Sequence, residues 1–126
     1  MVHTDADVQA AIDDFWHTEA DRKEVRSSLA EYGVATYERE VLRVRLAILR
    51  LSAGQLDRVR ELVGLAKRDY RDVLMWAEFP EEGRNLWTVS ARLSAERQAE
   101  LAEIRRKDRE QHAEWLTERR RRRTRG

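Results

Sequence analysis

The histidines at positions 3, 17 and 112 are the side chains best suited to move protons or bind a metal near neutral pH. Asp14 lies three residues before His17 and Asp108 four before His112, so on helices each pair projects from one face. A di-iron bundle needs Glu-x-x-His twice with two further carboxylates, and a zinc protease needs His-Glu-x-x-His; neither pattern occurs. With 24 acidic residues in the chain, an aspartate close to a histidine on a solvated helix is expected by chance, and both pairs read as surface decoration. Nucleophilic chemistry has less to work with. There is no cysteine, and Ser27, Ser28, Ser52, Ser90 and Ser94 lack the Gly-x-Ser-x-Gly elbow. Ser52 and Ser94 fall at expected helix starts, where capping accounts for them. The five glycines form no phosphate-cradling loop, and Asp13-Asp14 and Glu81-Glu82 are sequence neighbours that diverge on a helix. No catalytic, metal-binding or cofactor-binding residue is assigned, and no cofactor is expected.

Two features suit binding instead. Asp69-Tyr70-Arg71-Asp72 is the densest specific-looking cluster; Tyr70 reads as a core anchor, and Arg68 and Asp72 stand at the spacing of an in-helix ion pair. With Trp76 and Phe79 beyond it, the region offers an aromatic and charged surface, and tryptophan and arginine are enriched at binding hot spots. Arg71, Trp76, Phe79, Trp87 and Trp115 are the candidate partner surface, whereas Trp16 belongs to an apolar stripe. The second feature is the C-terminal run Arg119, Arg120, Arg121, Arg122, Arg123 and Arg125, six arginines without an acid. Such a run neutralises phosphates with little regard to base sequence, so these are the candidate nucleic-acid contacts. The bland alternative is a basic end lying against the rest of the chain, because the other 19 basic residues and all 24 acidic ones precede it and leave that body net acidic by five. Arginine abundance is itself weak testimony, since only Lys23, Lys67 and Lys107 are lysine, a bias that GC-rich coding produces.

The elements that position these residues have the helical period throughout. Thr4 caps a helix over about 5–17 with Val8, Ile12, Phe15 and Trp16 on one face. A second runs over about 19–32 with Val25, Leu29 and Tyr32, ended by Gly33 in the left-handed conformation. The third, about 37–51, carries Tyr37, Val41, Val44, Ile48 and Leu51 beside a second stripe of Leu42, Leu46 and Leu49, an arc wide enough for more than one neighbour. After the turn Ser52-Ala53-Gly54, Leu56, Val59, Val63, Ala66, Tyr70, Val73 and Ala77 alternate steps of three and four along a helix over 55–78, about 36 Å long. The short turn makes helices three and four an antiparallel hairpin. Pro80 ends the fourth helix and 81–85 reads as a polar loop. From about 94 to 122 the chain is rich in Glu, Arg, Ala and Gln, with a thin stripe of Leu93, Leu101, Ile104 and Trp115. Asp108 and Gln111 or His112 fall at seam positions between them. This reads as a long polar helix, either packed on the bundle's flank or on another chain, or projecting.

The run Tyr37-Glu38-Arg39-Glu40 with Arg43–Ser52, followed by Ala66–Leu74 and Trp76–Glu82, resembles a family of small uncharacterised bacterial helical proteins. The likeness covers residues 25–83; it implies a compact helical unit in a bacterial cytoplasm and carries no activity or functional residue with it.

The sequence therefore predicts an all-α chain: a compact bundle of about four helices over 1–90, with the central hairpin at about 37–51 and 55–78, and a charged C-terminal helix with its arginine tail over 91–126. No run approaches the roughly 18 apolar residues of a membrane span, and the acidic N-terminal stretch lacks a secretory signal's apolar core, so a cytoplasmic location is expected. The favoured function is a non-enzymatic protein-interaction or regulatory module, with a protein partner or a second copy as its target. The alternative is a nucleic-acid-associated protein using the arginine tail, and the third reading is an enzyme or metal-binding bundle.

Overall fold

The computed structural model describes residues 3–82 and 95–125. Within them the chain is all-α, built on helices α1 (Asp5–Phe15), α2 (Glu19–Ala30), α3 (Val41–Ser52), α4 (Leu56–Glu78) and α5 (Ala95–Arg125). Thr4 caps α1 reciprocally: its hydroxyl accepts the Asp7 N–H while the Asp7 carboxylate accepts the Thr4 N–H. Thr18 caps α2 through the Asp21 N–H. α3 lies against both α1 and α4, which explains its two apolar stripes. Val44, Leu46, Ala47, Ile48 and Leu49 are wholly enclosed, the branched side chains contributing about 1.5–3 kcal/mol apiece. They meet Ile12, Val25, Leu29, Tyr32, Val59, Leu62, Val63 and Val73 in one continuous core. Arg43 near the start of α3 pairs with Glu78 at the end of α4, which fixes the hairpin antiparallel.

Three expectations need correction. α3 starts at Val41 rather than 37, and Tyr37 is exposed. The stretch before it is organised by Glu38, whose buried carboxylate accepts the N–H groups of Gly33 (2.9 Å), Val34 (3.1 Å) and Ala35 (3.2 Å) and meets Lys67 at 3.3 Å. Burial pushes the Glu38 carboxyl up, but these donors outweigh it and hold it below its ordinary range. Gly33 does turn left-handed (φ 108°), and α2 ends before it at Ala30; a Cβ there would sit 2.9 Å from Val41 Cγ1. Second, α4 is not one even helix. Asp69 leaves helical geometry (φ −156°, ψ 99°) and its carboxylate accepts the backbone N–H of Arg71, restarting the helix; Asp69 pairs with Arg71, and no ion pair joins Arg68 to Asp72. Third, residues 81 and 82 of the expected polar loop are not loop, and 83–85 lie outside the described residues. Residues 80–82 are helical, and Glu82 is buried.

α5, left open between packing and projecting, docks on α1 and α4. Its seam mixes polar and apolar residues. Leu101, Asp108, His112 and Leu116 are buried, and Ile104 and Trp115 half-buried, so the stripe expected to seek another chain or the bundle's flank takes the flank. No described helix is long and apolar enough to cross a membrane.

Candidate functional site

Residues expected on the surface converge where α5 crosses the end of the hairpin. Arg43 and Arg50 stand seven apart on α3, two turns along one face, and both turn toward the end of α4. Arg43 donates to both oxygens of Glu78, from Nε at 2.7 Å and from Nη2, a two-pronged pair in which Glu78 is almost fully enclosed. Hydrogen bonding to Glu78 raises the Arg43 guanidinium above its ordinary value. Arg50 donates from Nη1 to the carbonyl of Ala77 (2.8 Å) and meets Nδ1 of His112 at 2.7 Å. Arginine has no acceptor to offer, so Nδ1 accepts and the ring proton sits on Nε2. Burial, reinforced by Arg50, pulls the His112 imidazole down to about 4, and the ring is neutral at neutral pH. It stacks on Trp115, one turn along, with centroids 6.1 Å apart and planes 14° apart.

Asp108, one turn earlier on α5 and fully enclosed, accepts the backbone N–H groups of Glu81 (3.3 Å) and Glu82 (2.9 Å). The carboxylate thereby caps the helical turn that Pro80 begins. Arg105 then clasps the Glu82 carboxylate with Nε and Nη2. Neither member of the Asp108–His112 pair is surface decoration, and the two do not bond to each other: Asp108 holds backbone, His112 holds Arg50. The other pair is also divided. Asp14 is taken up by arginines of α5, while His17 is exposed.

Beside the Arg43–Glu78 pair lies a cleft of about 370 Å³, with His3, Glu40, Arg109 and His112 around its polar part and Phe79 and Leu116 along its apolar wall. Of the candidate surface residues, Phe79 is thus partly enclosed here. Trp115 packs within the chain, half-buried against the core with Arg119 above its ring at 5.1 Å, and so does not form an open partner surface. Arg71 and Trp76 remain exposed, with Asp72 and Met75 between them on the outward face of α4's second half. Trp87 lies outside the described residues, as do the side chains of Arg123 and Arg125.

Half of the arginine tail is drawn inward. Arg119 is sandwiched by Phe15 (5.7 Å) and Trp115, and its Nε lies 3.0 Å from Asp14 Oδ2 in an ion pair whose angle is not that of a hydrogen bond. Arg122 also reaches Asp14, and Arg120 donates from Nε and Nη2 to the two oxygens of Asp7, both at 2.8 Å. The bond from Arg120 lowers the Asp7 carboxyl to about 2, against the opposing push of burial. Arg121 is exposed. No group of three or more potential metal ligands gathers among the described residues.

Comparison with family models, with curated proteins and with solved structures gave no match.

The residues that sequence reasoning missed are Glu40, Arg43, Arg50, Glu78 and Arg109; His3 stood out by its type alone. One signal was present: Arg43 and Arg50 interrupt the most apolar run of the chain at a spacing that places both on one side.

Proposed function

We propose that this chain is a non-enzymatic interaction module that engages a protein partner through the outer face of α4, and that it works in a bacterial cytoplasm, as its likeness over residues 25–83 to small bacterial helical proteins suggests. The observation that carries the reading is the stripe Arg71, Asp72, Met75 and Trp76, successive turns of one helix left exposed while the other described tryptophans pack inside. Trp76 is 43% exposed, roughly 100 Å² of ring, and covering it is worth about 2 kcal/mol. An open tryptophan with an arginine and a methionine beside it is the composition of an interface centre rather than of a solvated helix face. The pairing of Arg119, Arg120 and Arg122 with α1 carboxylates weighs against the tail as the main binding element.

Co-purification at moderate salt from the organism's own extract, with nuclease, tests the reading. A stoichiometric protein is expected with the natural chain and is expected to be lost with Trp76→Ala, with circular dichroism showing that the variant keeps its helical fold. Equal recovery with both chains, or loss of the partner on nuclease treatment alone, contradicts it.

A further inference from the structure

The cleft beside the Arg43–Glu78 pair has features the outer face of α4 does not explain. His112 is only 8% exposed, and with Nδ1 occupied by Arg50 its remaining polar atom is the Nε2–H on the cleft side. The nearest carboxylate oxygen, Glu78 Oε2, is 3.8 Å away, beyond hydrogen-bond reach, and both Glu78 oxygens are already held by Arg43. Open to the cleft and bonded to no protein acceptor, this donor is free for a ligand. Arg109, three residues before His112 on the same helix, also lines the cleft; it is exposed and, unlike Arg43, Arg105 and Arg119, has no ion-pair partner among the described residues. Phe79, Ala113 and Leu116 supply the hydrocarbon of the lining.

We propose that this cleft binds a small organic carboxylate, its two oxygens received by Arg109 and the Nε2–H of His112 and its apolar body laid against Phe79 and Leu116. The volume lies within the range of small-molecule sites, and a few convergent polar groups on an apolar wall are their usual make-up. The charges select one negative charge rather than two. Glu78 is neutralised by Arg43, whereas Glu40 lines the same cleft, half exposed and 4.0 Å from Arg43, and disfavours a dianion. His3, lowered mainly by burial, adds no positive charge at neutral pH. The inference stands apart from the reading of α4's outer face, and either can fail without the other.

The test is NMR of the whole chain with labelled imidazoles, titrated separately with sodium benzoate, sodium acetate, sodium phosphate and benzylamine. Benzoate is expected to shift the His112 ring resonances saturably, with a Kd in the millimolar range typical of so small a probe. Acetate, which lacks the apolar body, is expected to bind at least about tenfold more weakly. Arg109→Gln, at an exposed and unpaired position, is expected to leave the fold intact and weaken benzoate about tenfold. The proposal is overturned if His112 does not respond to benzoate, if Arg109→Gln leaves the response unchanged, or if benzylamine or phosphate binds as tightly as benzoate.

Discussion

Replacing Asp108 with alanine removes the acceptor for two backbone N–H groups at once. The bond from Glu82 is 2.9 Å long in a fully buried setting; that from Glu81 is longer, 3.3 Å, and partly wetted. A buried N–H left without an acceptor costs about 1–3 kcal/mol, and the wetted one recovers most of its loss from water, so the sum is about 2–3 kcal/mol. Asp108→Asn keeps one acceptor oxygen and turns the other end into a donor, so it restores roughly half. The expected order in urea unfolding is the natural chain above Asp108→Asn above Asp108→Ala, with shifts in midpoint and no change in slope. Hydrogen exchange supplies the local readout: the Glu82 amide is protected in the natural chain and exchanges freely in Asp108→Ala. If alanine costs less than about 0.5 kcal/mol, or if the Glu82 amide is already unprotected in the natural chain, Asp108 does not fasten residues 80–82 to α5.

Other outcomes follow from the same contacts. His112, lowered to about 4 from an unfolded value near 6.5, is protonated more readily in the unfolded chain, so its stabilising contribution is whole above about pH 6.5 and is lost as pH falls through 4. Up to about 3 kcal/mol of acid sensitivity is expected in that window, and urea unfolding between pH 7 and 4 that shows no such decline in the natural chain, or the same decline in His112→Gln, refutes the assignment. Arg119→Ala strips the ion pair to Asp14 and the contacts with both rings, costing about 1–2 kcal/mol and opening Trp115 to acrylamide quenching; unchanged quenching means that Arg119 does not cover the ring. Six free arginines would give DNA or RNA binding a log–log salt slope of about −5, whereas three of the six are tied to Asp7 and Asp14; a shallower slope is expected, and a measured slope near −5 shows that those pairs open on binding.

The hairpin was readable because Val44 and Ile48 on one side and Val59, Val63, Ala66 and Val73 on the other repeat at helical spacing and face each other. The same rule overran at Tyr37, which continues the stripe by count. There the chain follows Glu38, whose carboxylate gathers three amides that a helix over 37–40 would pull away from it. Asp69 is similarly silent in the sequence: an aspartate inside a helical run looks ordinary until its carboxylate takes up the Arg71 amide. α5 was the least legible element. Its buried face holds Asp108 and His112 at seam spacing, with Arg119 close behind, and their polarity disguised the seam as a solvated surface. Each is buried only because a distant part of the chain supplies its counterpart: the amides of 81 and 82, Arg50, and Asp14. Periodicity registers apolar faces and is blind to polar ones satisfied from afar.

The clasp between α1 and the end of α5 has a consequence for how the molecule comes into being. Asp7, Asp14 and Phe15 are made more than a hundred residues before Arg119, Arg120 and Arg122. While the hairpin assembles from neighbouring segments, the carboxylates of α1 wait without their cations and the seat of Leu116 stays open. A product halted before residue 95 therefore keeps its central core but bares one flank, an open face for a protease.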